Sequence, residues 1–133
     1  MRTPRQQMDD ALKAIVLPVL RERGFKGSFP HFRRPRSDRI DLLTFQFDKW
    51  GGGFVMEMAR CGPEGVTLHW GERVPPSKVR AWDVSATQRP RLGPRGAPGT
   101  DEWFRFDDGA YVAAATQVLD ALDDAFKYWE SGA

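Results

Sequence analysis

R-I-D-L-L-T-F-Q-F-D-K-W-G-G-G-F-V-M-E-M-A-R-C, from Arg39 to Cys61, is the stretch of sequence that decides the fold of this chain. Two apolar, aromatic-rich segments flank Gly51, Gly52 and Gly53, an arrangement that predicts a long β-hairpin. Side chains alternate along each arm, so each arm has one apolar face and one mixed face. The apolar face carries Leu43, Phe45, Phe47, Phe54, Met56 and Met58, with Asp41 on the same side. Such a face requires cover from other elements.

Two helices, one near each end of the chain, are predicted to supply that cover. Thr3-Pro4-Arg5-Gln6 combines the residues of a capping box with proline at the first helical position, and Gly24 suits a left-handed C-cap. Pro18 predicts a kink within this helix. Asp107 or Asp108 is expected to cap the second helix. Its apolar stripe, at spacings of three and four, comprises Val112, Ala115, Leu119, Leu122, Phe126 and Trp129.

Short strands are predicted on either side of the hairpin. Gly27–Arg34 indicates an edge strand or an irregular one, since Pro30 has no N–H for a ladder. Val66–Trp70 indicates a fourth strand of a meander. Asp101–Phe106 is expected to form a short strand or a docked aromatic segment. The predicted fold class is therefore α+β: an antiparallel four- to five-stranded meander sheet with N- and C-terminal helices packed on one face.

The length of the chain predicts a single domain over residues 1–133 with one core. Residues 71–99 form a long Pro/Arg/Gly-rich loop without periodicity, and such loops are usually either functional or mobile. Within this loop, residues 79–84 (V-R-A-W-D-V) are expected to dock as a short helical or extended piece.

The composition excludes several classes of protein. The chain is 41% apolar and 29% charged, as globular proteins are. It has no apolar segment approaching the ~20 residues that span a bilayer, and its start lacks an apolar signal core. Cys61 is the only cysteine, which rules out an internal disulfide and a cysteine-rich zinc site. We therefore expect a cytoplasmic protein with no membrane partner.

No motif in the sequence predicts catalysis. His31 and His69 lie in predicted strands, with no nearby cysteine or paired carboxylate to complete a metal site. The glycines at 51–53 precede a strand, whereas a phosphate-binding loop opens a helix. We therefore expect neither a metal nor a cofactor, and an enzyme is the least favoured class.

The distribution of arginine and tryptophan predicts a binding function. The net charge is only +2, but the loops are basic and the C-terminal part is acidic. Tryptophan and arginine are enriched in the hot spots of protein interfaces, so a non-enzymatic protein-binding module is the leading hypothesis. Nucleic-acid binding is the alternative, because arginine and aromatic side chains also suit single-stranded nucleic acid. The candidate partner-binding residues are Arg33, Arg34, Arg36, Trp50, Trp82, Arg89, Arg91 and Trp103.

The sequence R-P-R-L-G, which begins at Arg89, carries a more specific prediction. Proline biases the residue before it toward extended geometry, so Arg89 and Arg91 should project to one side and Leu92 to the other. Two forked donors so arranged can hold the carboxylates of Asp101 and Glu102, or acidic groups on a partner. The first role is structural and the second is functional, and the sequence leaves both open.

Several of these segments together resemble a bacterial family, the domain of unknown function 4304. The resemblance rests on R-G-F-K from Arg23, F-R-R from Phe32, L-T-F-Q-F from Leu43 and G-F-V-M from Gly53. It continues in R-P-R-L-G and D-E-W-F, which are similar to the family's R-x-R-[LI]-G and D-x-W-W segments. The resemblance implies an α+β fold and brings no established activity. Small bacterial domains of this kind are often encoded among toxin and immunity genes, which extends the leading hypothesis to an immunity-type protein that recognises a bacterial toxin.

Overall fold

An antiparallel sheet lies at the centre of the structure, a computed structural model that describes residues 2–94 and 102–131. The helices are α1 (Pro4–Ile15), α2 (Leu17–Glu22) and α3 (Tyr111–Glu130). The strands are β1 (Lys26–Ser28), β2 (His31–Pro35), β3 (Ile40–Phe47), β4 (Gly53–Cys61), β5 (Val66–Thr67), β6 (Arg73–Val74), β7 (Arg91–Leu92) and β8 (Phe104–Arg105). Two single 3₁₀ turns, Ala81–Asp83 and Ala86–Gln88, lie between β6 and β7.

The main sheet has the order β1-β2-β3-β4-β7, and β8 also pairs with β4. All of these pairings are antiparallel. The predicted hairpin forms its centre, with Ile40 opposite Cys61 and Phe47 opposite Phe54. Gly51 and Gly52 turn the chain at φ 90° and 81°, which glycine adopts without steric cost. The predicted fold class is confirmed.

Helices α1 and α3 cover one face of this sheet, which we call the helix face. They enclose the main core, which includes Leu12, Phe45, Phe54, Met58, Leu122 and Trp129. The capping box is present: Thr3 Oγ1 accepts from Gln6 N at 3.1 Å, and Gln6 Oε1 accepts from Thr3 N at 2.9 Å. At Val16 the chain bends but keeps helical dihedrals (φ −94°, ψ −42°), because Pro18 offers no N–H to the preceding turn. The kink is therefore as predicted.

Helix α3 differs from its prediction in two respects. Its N-cap is Ala110, and neither aspartate caps it, because Gly109 turns the chain at φ 83° and leaves Asp108 bonded to Ala110 N at 3.0 Å. Val112 is 65% exposed. The buried arc is centred near Val118, and at ~100° per residue Val112 lies roughly 110° from that centre. The buried residues are Ala114, Ala115, Val118, Ala121, Leu122, Ala125, Phe126 and Trp129.

The strands that flank the hairpin also correct the prediction. Gly27–Arg34 is irregular: it divides into β1 and β2 around a turn at Pro30, and of these two strands β1 lies at an edge of the sheet while β2 is internal. The predicted fourth strand, Val66–Trp70, is strand only at β5, which pairs with β6 in a separate two-stranded ribbon. Its place beside β4 is taken by β7 and β8, because Gly62 and Gly65 close a tight turn that directs the chain away from the sheet. Alternation alone does not reveal which strand is the partner.

The predicted loop at 71–99 is described as far as residue 94, and its residues 79–84 cover the other face of the sheet, the second face. Val79, Ala81 and Val84 pack there against Ile40, Leu42 and Ala59 in a second apolar core. The piece expected at 79–84 is thus docked, with a 3₁₀ turn at its centre. Both faces of the central hairpin are therefore buried. In the described part of the chain, no helix has the length and apolar character needed to cross a membrane.

Candidate functional site: a cleft on the second face

An open cleft of about 760 Å³ lies on the second face, between β2 and the chain segment 68–83. The register of β2 with β3 sets His31 opposite Thr44 and Arg33 opposite Leu42, so both side chains point to this face. Trp70 and Trp82 line the cleft and are 63% and 44% exposed. Together, β2 and the segment 68–83 form a groove with one wall of sheet and one wall of loop.

Trp82 is held in place from below by a buried acid. Its Nε1 donates a hydrogen bond to Glu57 Oε1 at 2.9 Å, and Glu57 is 3% exposed. The ring of Trp82 also meets the imidazole of His31 edge-on, with 4.8 Å between the ring centroids. Trp82 is nonetheless 44% exposed, so it offers a pre-positioned aromatic surface.

Glu57 is not among the candidate residues predicted from the sequence. Its Oε2 accepts from Arg89 Nε at 3.0 Å, and Arg91 Nε lies 3.9 Å from the same oxygen. A buried carboxylate is tolerated only when it is paired and hydrogen-bonded, and here an arginine and a tryptophan meet that requirement. The signal in the sequence was a single acid inside the apolar segment F-V-M-E-M-A, together with the R-x-R that pairs beside it.

The geometry predicted for R-P-R-L-G is confirmed. Arg91 is opposite Glu57 on the second face, while Leu92 is opposite Met56 and belongs to the main core. Arg89 has the internal role: besides its ion pair with Glu57, its Nη1 donates to the carbonyl oxygens of Trp82 and Val84. The carboxylate that it holds is Glu57, because the register of β7 with β4 brings that acid to the two arginines. Of the acids named in the prediction, Asp101 lies outside the described residues.

The charged side chains around the cleft differ in whether they have a bonding partner. Within residues 2–94 and 102–131, no acid lies within ion-pairing distance of Arg33, Lys78 or Arg80. The two acids that line the cleft already accept hydrogen bonds: Glu72 from Trp70 Nε1 at 3.1 Å, and Asp83 from Arg80 N at 2.8 Å. The cleft therefore presents cationic groups that have no counterpart in the described structure.

His31 adds a neutral polar group to the floor of the cleft. Burial, and secondarily the charge of Arg80, lower its pKa below the usual 6.5. The imidazole is therefore mostly neutral at pH 7. Its Nδ1 makes a hydrogen bond of 2.9 Å with Thr44 Oγ1, so one ring nitrogen is engaged within the sheet.

The remaining predicted residues do not join this cleft. Arg34 is 5% exposed and lies on the helix face, and Arg36 is in the turn that follows β2. Trp50 is 85% exposed at the tip of the hairpin. Trp103 lies beside Arg91, whose guanidinium is 5.7 Å from a ring centroid of the indole. Of the eight predicted residues, the structure thus brings Arg33 and Trp82 to the cleft. Arg89 contacts Trp82 and Glu57, and Arg91 lies near Glu57, but neither arginine lines the cleft.

Cys61 and His69 carry side chains that can bind metals, and neither lines this cleft. Burial raises the pKa of the Cys61 thiol to about 11, so little thiolate exists near neutral pH. His69 packs edge-on against Trp70, with 4.6 Å between ring centroids. In the part of the chain that the structure describes, no three His, Cys, Asp or Glu side chains are grouped so as to hold a metal ion.

Comparison with known families gives a match over most of the chain. The sequence profile of a domain of unknown function, DUF4304, matches residues 16–131. The chain belongs to this family. No curated protein and no solved structure matches it. Membership of the DUF4304 family therefore confirms the resemblance seen in the sequence, and any function must be argued from the cleft itself.

Proposed function

We propose that this DUF4304 protein is a non-enzymatic binding module that holds an acidic segment of another protein in the cleft on its second face. The observation that carries the proposal is the set of three cationic side chains, Arg33, Lys78 and Arg80, that surround exposed tryptophans without an acidic partner. Carboxylates of a partner would form ion pairs with these cationic side chains, and apolar groups of the same partner would pack on Trp70 and Trp82.

Two features of the cleft favour a protein over a nucleic acid. Glu72 and Asp83 lie among the cations, and they would repel the evenly spaced phosphates of a polyanion. A protein segment can instead place its acidic groups against the cations of the cleft. Glu72 and Asp83 can then face hydrogen-bond donors of that segment or water. In addition, Glu57 fixes the Trp82 indole beforehand, which lowers the entropic cost of binding.

The narrower form of the proposal is an immunity-type protein, with a bacterial toxin as its partner and the cytoplasm as its location. It is supported by the association of small bacterial domains of this kind with toxin and immunity genes. This narrower form names the partner that would bind in the cleft. The partner would still be recognised by the same cationic side chains and tryptophans.

The test uses a fluorescein-labelled peptide of alternating glutamate and leucine, with single-stranded oligothymidine of equal length as the comparison. Fluorescence anisotropy should show saturable peptide binding, and Arg80→Glu should weaken it about tenfold or more, since it replaces an attraction by a repulsion. Lys13→Glu is the matched control. It reverses the same charge on α1, away from the cleft, and should leave the affinity within about twofold.

Two results would contradict the proposal. Equal weakening by Arg80→Glu and Lys13→Glu would mean that only the net charge matters. Tighter binding of the oligonucleotide, with affinity falling steeply as salt rises, would replace the protein partner by single-stranded nucleic acid.

A further inference from the structure

Three arginines converge on one carboxylate oxygen at the end of α3. Arg34 Nη2 lies 3.2 Å, Arg39 Nη2 3.5 Å and Arg36 Nη1 4.0 Å from Oε1 of Glu130. Arg34 comes from β2, and the turn that follows presents Arg36 and Arg39, with Arg36 N donating to Arg39 O at 2.8 Å. We call Arg34, Arg36 and Arg39 the arginine cluster. It lies at the end of α3 and shares no residue with the cleft on the second face.

The donors of the cluster outnumber its acceptors. Asp41 is fully buried, and its two oxygens accept from Arg34 Nε at 2.9 Å and Arg39 Nε at 2.7 Å. Arg39 Nη2 is buried as well, yet no hydrogen-bond acceptor among the described residues serves it. An unsatisfied buried donor is costly, particularly when it carries charge. Glu130 offers a single oxygen to all three guanidinium groups.

We propose that the arginine cluster binds a phosphate group, and that Glu130 is an internal competitor that holds the site when no phosphate is bound. A tetrahedral phosphate presents several acceptor oxygens in different directions, whereas Glu130 directs one oxygen at the cluster. A phosphate can therefore serve Arg39 Nη2 and Arg36 together, while Asp41 continues to orient Arg34 and Arg39. Glu130 is able to leave because its side chain is 51% exposed and it is the last residue of α3.

On one side, at Arg34 and Glu130, the cluster borders a shallow cleft of about 380 Å³. Arg23, Lys127 and Asp123 also line this cleft, whereas Arg36 and Arg39 do not, so a phosphate reaches them only where Glu130 has moved away. Arg23 and Lys127 add positive charge there. Asp123, the more distant Asp38 and the negative end of the α3 dipole oppose an added anion. Displacement of Glu130 removes the carboxylate that lies nearest to the site. The negative charge of the phosphate therefore largely takes the place of the negative charge of Glu130.

The experiment titrates the whole protein with inorganic phosphate at constant ionic strength and follows the Nε–Hε resonances of the cluster by NMR. Glu130→Gln keeps the shape of the side chain and removes its charge, and it should tighten phosphate binding about tenfold, because the competitor is lost. Asp120→Asn is the matched control. It removes one negative charge from an exposed position of the same helix, and the affinity should stay within about twofold of the wild-type value.

Arg36→Gln provides a second variant that the fold should tolerate, because Arg36 is 42% exposed and its carboxylate contact is 4.0 Å long. It should weaken phosphate binding at least about fivefold in the Glu130→Gln background. Glycerol 3-phosphate, titrated in parallel, distinguishes a phosphate ester from the free ion, since tighter binding of the ester indicates an organic phosphate. Acetate should bind more weakly than both.

Three results would overturn the assignment. The first is the absence of saturable phosphate binding to Glu130→Gln while the variant remains folded. The second is equal gains from Glu130→Gln and Asp120→Asn, which would indicate a general charge effect. The third is acetate binding as tightly as phosphate, which would reduce the cluster to a set of structural ion pairs.

Discussion

At the scale of single residues, Glu57 connects the sheet with the loop that covers it. It lies in the middle of the longest strand, yet it contacts Trp82 and Arg89, which are 25 and 32 residues further along the chain. Its two arginine neighbours are not equivalent. Arg89 is 20% exposed and hydrogen-bonded to three groups, whereas Arg91 is 39% exposed and 3.9 Å from the carboxylate.

We therefore expect Arg89→Ala to lower the free energy of unfolding by about 3 kcal/mol, because it leaves a buried carboxylate without its ion pair. Arg91→Ala should cost less than about 1 kcal/mol, as exposed and distant pairs do. Urea denaturation of the two variants measures the difference. Equal losses would show that Glu57 does not depend on Arg89 in particular.

His31 gives the stability a dependence on pH whose direction follows from its lowered pKa. Between pH 6.5 and the folded pKa the unfolded chain binds more protons, so the free energy of unfolding falls as the pH is lowered. This contribution is fully present above pH 6.5. Urea denaturation between about pH 5 and 8 should show a shallower decline for His31→Gln than for the wild type. Ser77→Ala, which changes no titratable group and lies at an exposed position, should keep the wild-type slope.

At the scale of secondary structure elements, the sequence predicts what is encoded locally. The capping box at Thr3, the turn at Gly51 and the helical period of α3 each depend on residues within a few positions of one another. The partners of short strands depend instead on residues far along the chain. The strand within Val66–Trp70 therefore pairs in a different sheet from the one predicted, and Glu57, which is not among the predicted carboxylates, is the partner of Arg89.

Helix α3 allows the corrected buried face to be tested against the predicted one. Phe126 is 8% exposed and packs against Phe25 and Trp129, so Phe126→Ala should cost about 3–5 kcal/mol through lost burial and a residual cavity. Val112 belonged to the predicted stripe but is exposed. Val112→Ala should cost less than about 0.5 kcal/mol. Thermal and urea denaturation of the two variants decide between the two faces. Similar losses of stability in both variants would mean that Val112 is buried, as the predicted stripe requires.

At the scale of the whole molecule, the protein has two cores that share one sheet. The larger core lies under α1 and α3, and the smaller one lies under the segment that contains Val79, Ala81 and Val84. Sequence patterns reveal the first because its helices are long and periodic. For the second core they predict only that residues 79–84 dock, because three apolar residues in a short segment show no period that would indicate Ile40 and Leu42 as their partners.

The smaller core should protect its covering segment from proteolysis. Val79 is 3% exposed between Lys78 and Arg80, so trypsin should cut the native protein slowly at these two positions. Val79→Ser places a hydroxyl in the core and should speed that cleavage at least about tenfold through local opening, while the main core stays folded. Ser77→Ala, at an exposed position nearby, is the control. Rapid cleavage of the wild type would show that the segment is not docked.

The register of the central hairpin has a consequence for the route by which the chain folds. Its eight directly opposed pairs are closed by a turn of only a few residues, so they can form early at a small cost in loop-closure entropy. Contacts between α1 and α3 join opposite ends of the chain and must form later. Changes in the hairpin should therefore slow refolding, whereas changes in α3 should chiefly accelerate unfolding. The two arms of a chevron plot would then report separately on the sheet and on its helical cover.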